Sequence, residues 1–206
     1  PFTREQALLA QSKQGEHALA IAGLQELMRM RGETPERLGL IGGRYKKLWR
    51  DCRNARLAED EPGLRELGYL DDAIDSYRRG ALLNLNDSYC ACNLPLLLRS
   101  RATGNDLEEA AFFDRLTVLV CELTIQRGQD DGWTRSTLLG AAIRSGDAET
   151  VQRLVRDVAR EGPAAWQLES TLADAEDALN LLPSDSGSHQ QLALPLRQLR
   201  GLLPAP

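Results

Sequence analysis

The stretch from Tyr69 to Leu83, YLDDAIDSYRRGALL, carries Leu70, Ala73, Ile74, Tyr77 and Ala81 at intervals of three and four. That period puts all five on one face of an α-helix. Working outward, the segment 16–31 repeats it with Ala20, Leu24, Leu27 and Met28. In 107–127 the stripe is Ala110, Phe113, Leu116, Val120 and Leu123. In 147–160 it is Val151, Leu154, Val155 and Val158, and in 165–182 it is Leu168, Leu172, Ala175, Leu179 and Leu182. No run alternates with the period of two that a half-buried strand needs, so no sheet is predicted.

Capping chemistry marks the boundaries. Thr34-Pro35-Glu36 supplies an N-cap followed by proline at the first helical position. Asp106-Leu107-Glu108-Glu109 reads as a capping box with Asp106 at the cap. Gly32, Gly128 and Gly162 stand where helices stop, and Pro163 and Pro183 follow helix ends. Four turns combine a glycine with a polar or acidic helix start: Gly15-Glu16, Gly68 to Asp71, Gly104-Asn105-Asp106 and Gly146-Asp147. Ala20, Ala73 and Val151 each lie five residues after such a glycine, and Ala110 lies six after Gly104. The glycines are 53, 36 and 42 residues apart. The first interval predicts an insertion near 51–67.

Composition narrows the function. The 206 residues are 42% hydrophobic and 27% charged, which is a folded rather than a disordered profile. Two histidines exclude a histidine-rich metal centre, and 5% aromatics disfavour sheet. A net charge of −5 argues against a nucleic-acid or anionic-membrane surface. No apolar run reaches the ~20 residues that span a bilayer. Cys52, Cys90, Cys92 and Cys121 sit in helix-like segments, as reduced and mostly buried thiols of a cytoplasmic protein would. The chain opens at Pro1 without a methionine and enters a helical pattern almost at once, as a piece excised from a longer protein would.

The repeating turns resemble the tetratricopeptide repeat (TPR), whose period is about 34 residues. Ile41-Gly42 followed by Tyr45 is similar to the Leu-Gly…Tyr signature of its helix A, and Ala73, Tyr77 and Gly80 to its helix B. Read together, TPERLGLIGGRYK from Thr34, LDDAIDSYRR from Leu70, the segment around Asn93, WTRSTLLGAAIRSG from Trp133 and PAAWQLESTL from Pro163 resemble the TPR-like TRAF-binding domain of the apoptosis signal-regulating kinases and its bacterial relatives, over residues 30–182. Tyr45, Ala73, Tyr77, Asn93, Trp133, Trp166 and Leu172 carry the likeness. The resemblance implies a helical scaffold that binds proteins in a signalling or stress pathway and regulates an effector domain.

The candidate sites divide by chemistry. Arg44, Lys46, Lys47, Arg50, Arg53 and Arg56 form a basic run in which Lys46, Arg50 and Arg53 share a helix face. It is either a clamp for an acidic segment or nucleic acid, or a solvated face answered by Glu59, Asp60 and Glu61. Gly39, Gly42 and Gly43 lack the spacing of a phosphate loop and read as close helix packing. Cys90-Ala91-Cys92 lacks two further ligands for a metal. His17 and His189 have no nucleophile motif beside them, and Asp71-Asp72 and Asp130-Asp131 read as acids at helix starts. Trp133 and Trp166 either pack between repeats or anchor a partner. Asn93 either clamps a peptide backbone or makes an internal contact.

These observations predict an all-α, TPR-like right-handed superhelix of about four helical hairpins over residues 1–182, a linker at 183–188 and a capping helix or tail at 189–206. The predicted function is a non-catalytic, cytoplasmic protein-interaction scaffold without cofactor or metal. It would bind a partner segment, acidic in one version, in the concave groove through Lys46, Lys47, Arg50, Asn93, Trp133 and Arg135. The alternative is a nucleic-acid-binding or effector-regulating module that uses the basic helix 44–56.

Overall fold

A computed structural model describes residues 4, 16–55, 63–184 and 186–203, and every regular element among them is helical. In chain order these are α1 (His17–Arg31), α2 (Pro35–Ala55), α3 (Leu64–Leu83), α4 (Ser88–Ala91), α5 (Leu94–Arg101), α6 (Asp106–Gln126), α7 (Thr134–Ser145), α8 (Ala148–Glu161), α9 (Ala165–Asn180) and α10 (Gly187–Arg200). The chain forms two compact units, Pro1–Ala110 and Ala111–Pro206.

In the first unit α2 and α3 form the most extensive helix pair, with α1 against α2 and the short α4 and α5 against α3. Proline is tolerated at the start of α2 because the first turn needs no N–H there. The Arg37 amide donates to Thr34 Oγ1 at 3.2 Å, the N-cap bond the sequence predicts. Ile21 and Leu24 of α1 are buried against Ile41 of α2, with Tyr45 and Leu48 packed alongside. Each such buried aliphatic side chain contributes about 2 kcal/mol of transfer free energy. Gly42 lets the Tyr77 ring of α3 approach, since a Cβ there would stand 2.9 Å from three ring atoms. Gly80 does the same for Cys90, whose Sγ would lie 2.5 Å from an added Cβ. Of the three glycines predicted to pack closely, Gly42 does so, and so does Gly39, where an added Cβ would collide with the Tyr89 ring, whereas at Gly43 it would meet the Tyr77 hydroxyl at an ordinary 3.4 Å.

The second unit pairs α7 with α8 and α9 with α10, and packs α7 on α9 and α8 on α10. Asp147 caps α8 by accepting from the Thr150 amide at 3.0 Å. Ser186 caps α10 by accepting from the His189 amide at 3.1 Å. The helix α10 runs through Pro195, which the sequence reading takes as an interruption. Buried Leu192, Leu196 and Leu199 hold it in place despite the missing N–H.

Other expectations are corrected. Gly68 is not a turn but an exposed interior residue of α3, which starts five residues earlier than the apolar stripe suggests. Asp71 and Asp72 are therefore mid-helix rather than at a start. Asp106 is not an N-cap: it accepts from the Thr103 amide at 2.9 Å, the returning half of a capping box three residues on from Thr103. Along α6 the buried positions after Asp106 are Ala110, Phe113, Thr117 and Cys121, while Leu116 and Val120 are half-buried and Leu123 is exposed. The acids Glu59, Asp60 and Glu61, Arg56 and Gly15 lie outside the described residues.

Candidate partner-binding site

The basic helix α2 does not present one exposed cationic face. Lys46 is buried, and its Nζ donates to Asn93 Oδ1 at 2.8 Å. Asn93 in turn donates from Nδ2 to the Tyr89 carbonyl at 2.9 Å, so both ends of the amide are used. The structure thus brings together two of the six residues the sequence singles out. Lys47 is exposed and pairs with Asp51 one turn on, at 2.9 Å. Arg50 is half-buried, and Arg53 lies 4.6 Å from the centroid of the Trp49 ring. A helix with an i, i+4 ion pair and a cation over its own tryptophan answers much of its charge internally. Close by, His17 titrates below its ordinary range, first because burial disfavours the imidazolium and then because Arg44 repels it.

The thiol of Cys90 is pushed up to about 12 by burial and donates to the Pro35 carbonyl at 3.3 Å. A thiol held protonated is a packing group rather than a nucleophile. Arg101 makes a two-pronged contact with Asp106, at 2.8 and 2.7 Å, and a third bond to Asp71 at 2.8 Å. The guanidinium holds the Asp106 carboxyl down at about 2 against the penalty of burial, helped by the Thr103 amide and hydroxyl. These pairs lock the turn between α5 and α6, where Ala102 adopts a left-handed φ of 51°. Arg78 and Glu109 add a parallel pair of bonds, both 2.6 Å.

In the second unit the two tryptophans stand at the starts of α7 and α9, with ring centroids 5.6 Å apart and planes inclined at 58°. Trp133 is 37% exposed and Trp166 57%, so the pair is a surface feature as well as a packing contact. Asp131 Oδ1 fixes the turn before α7, accepting from the amides of Trp133 and Thr134 at 3.0 and 3.1 Å. Arg135 is held between Asp130 and Glu161, which join the start of α7 to the end of α8. Its guanidinium is accordingly committed to two carboxylates.

An open cavity of about 610 Å³ lies between α8 and α10, with Glu149, Gln152, Gln190 and Gln191 among its lining residues. Among the described residues no three His, Cys, Asp or Glu side chains cluster as a metal site would. No described helix is long and apolar enough to cross a membrane.

The sequence offers packing between repeats or anchoring of a partner for Trp133 and Trp166, and the two rings do pack on each other. The signal is the matching position of the two, each at the start of the first helix of successive hairpins. Residues 1–98 match the family model described as Tetratricopeptide Repeats-Sensor, and no curated protein matches the chain.

Proposed function

We propose, from the premise that this all-helical chain is a TPR-like repeat protein, that it is a non-catalytic interaction scaffold of a cytoplasmic signalling or regulatory assembly. The observation that carries this reading is the exposed Trp133–Trp166 pair. Exposed, mutually braced indoles offer a partner a large apolar contact at little ordering cost. The turn held by Asp131 and the bridge at Arg135 keep that surface preformed. Lys47 and Arg50 of α2 supply a second contact, for an acidic stretch of the partner. Lys46 and Asn93 contribute indirectly, by holding α2 against the start of α5. The family description names its repeats a sensor, which fits a scaffold that reads a partner and controls an effector domain. Pairing of Lys47 with Asp51 and of Arg53 with Trp49 supports a protein partner over a phosphate backbone.

The test is capture of the native partner by the full chain, with melting temperature measured in parallel. Trp133→Ala with Trp166→Ala is expected to weaken capture by at least about tenfold, a loss typical of anchor aromatics, while leaving the melt within a few degrees. Lys47→Glu with Arg50→Glu is expected to weaken it less, and more at low salt than at high. Capture unchanged in the tryptophan variant would remove this surface from the proposal.

A further inference from the structure

Helix α6 carries apolar residues on more faces than its own unit covers. Phe113, Thr117 and Cys121 are buried, yet Phe112 is 48% exposed, Leu119 53% and Leu123 36%. Leu116 and Val120 lie beside them, half-buried. The positions 112, 116, 119 and 123 are spaced four, three and four apart, which is the alternation of an a/d coiled-coil seam. Phe112 is braced edge-on by Phe113, with ring centroids 5.2 Å apart. A contiguous exposed stripe of three large apolar side chains on one helix marks an interaction surface.

The flanking charges select the occupant. Arg115 and Glu122 are both exposed and stand seven residues apart along one edge of the stripe. We propose that this stripe pairs antiparallel with the same stripe of a second copy of this chain. The two-fold alignment that layers Phe112 on Leu123 of the other copy, and Leu116 on its Leu119, sets Arg115 beside Glu122 of the other copy. By symmetry Glu122 meets the other copy's Arg115, so one interface gains two ion pairs flanking a dry seam. A parallel pairing would face Arg115 with Val120 instead. The self-complementary pattern is what a two-fold interface demands of a single patch. This pairing is separate from the partner surface at Trp133 and Trp166.

Sedimentation equilibrium of the full chain, at concentrations from about 1 to 100 μM, a range that brackets modest interfaces, tests the proposal. The wild type is expected to dimerise in this range. Leu119→Glu, at an exposed position and with folding checked by circular dichroism, is expected to weaken dimerisation by at least about 100-fold. Arg115→Glu alone is expected to weaken it by about tenfold, and Arg115→Glu with Glu122→Arg to restore it to within about threefold, as a double-mutant cycle requires. A wild type that stays monomeric at the highest concentration overturns the proposal. So does a double exchange that fails to restore a loss caused by Arg115→Glu.

Discussion

Lys46 of α2 and Asn93 at the start of α5, 47 residues apart in sequence, are joined by a 2.8 Å hydrogen bond from a buried ammonium. Replacing Asn93 by alanine removes that acceptor while leaving the charge in place. Losing a partner of a buried charged donor costs about 1–3 kcal/mol. Lys46→Met keeps most of the apolar stem and removes the charge, so its cost is expected to be smaller than that of Asn93→Ala. Urea midpoints of the two variants check the order. Equal costs would mean that the ammonium does not depend on Asn93.

Acid should act on the first unit through Asp106. Arg101 holds this carboxyl at about 2, below its ordinary 3.8. Because the folded value is the lower one, the unfolded chain takes up the proton first as pH falls. The stabilisation is therefore complete above about pH 5 and is lost progressively between about pH 4 and 2. The shift corresponds to about 2 kcal/mol. Asp106→Asn is expected to flatten that part of the stability–pH curve, measured by denaturant unfolding at pH 6 and pH 2.5. A curve as steep as that of the wild type would place the acid sensitivity elsewhere.

Much of the fold is legible because helix periodicity and glycine stops are local signals. Gly32, Gly128 and Gly162 end helices with φ of 82°, 64° and 62°, a conformation in which glycine meets no Cβ penalty. The misreadings occur where burial overrides a local cue. Gly68 looks like a turn residue, yet the helix runs through it because Leu70, Ala73 and Ile74 are buried beyond it. The run from Leu116 to Ile125 is so rich in apolar residues that several stripes fit it, and only tertiary packing selects Phe113, Thr117 and Cys121. Lys46 reads as surface charge because its acceptor lies 47 residues away.

Three glycines inside helices should respond oppositely to alanine. At Gly42 the new Cβ would stand 2.9 Å from Tyr77 ring atoms, and at Gly80 2.5 Å from Cys90 Sγ and 3.3 Å from Leu38 Cβ. Overpacking of this kind costs about 1–3 kcal/mol, more than the gain in helix propensity. At Gly68 nothing lies within 4 Å of the added atom. Gly68→Ala is expected to stabilise the protein by about 0.5–1 kcal/mol. Thermal melts of the three variants measure the contrast, and a destabilised Gly68→Ala would contradict the open surroundings of that site.

Thr117 offers a gain of another kind. Its hydroxyl oxygen is buried in α6 with no hydrogen-bond partner among the described residues. Valine has nearly the same shape without the polar atom to desolvate. Thr117→Val is expected to raise stability by about 1 kcal/mol, toward the low end of the cost of an unsatisfied buried group. Denaturant titration reads it directly, and a loss of stability would show that the hydroxyl is hydrated or bonded in solution.

Arg144 of α7 exposes only 4% of its side chain, and its Nε and one terminal nitrogen both donate to Asp114 Oδ1 of α6, at 2.9 and 2.7 Å. Asp114 is the more exposed partner, at 18%. Removing the carboxylate leaves a guanidinium too enclosed to recover water, whereas removing the guanidinium leaves a carboxylate that can. Asp114→Ala is therefore expected to cost about 3 kcal/mol, in the range for breaking a buried pair from one side. Arg144→Met should cost less, and Arg144→Met with Asp114→Leu should recover part of the loss, since an apolar replacement of both ends carries no orphaned charge. Urea unfolding of the two single variants and the double completes the cycle. An Arg144→Met variant less stable than Asp114→Ala would reverse the assignment of which end is desolvated.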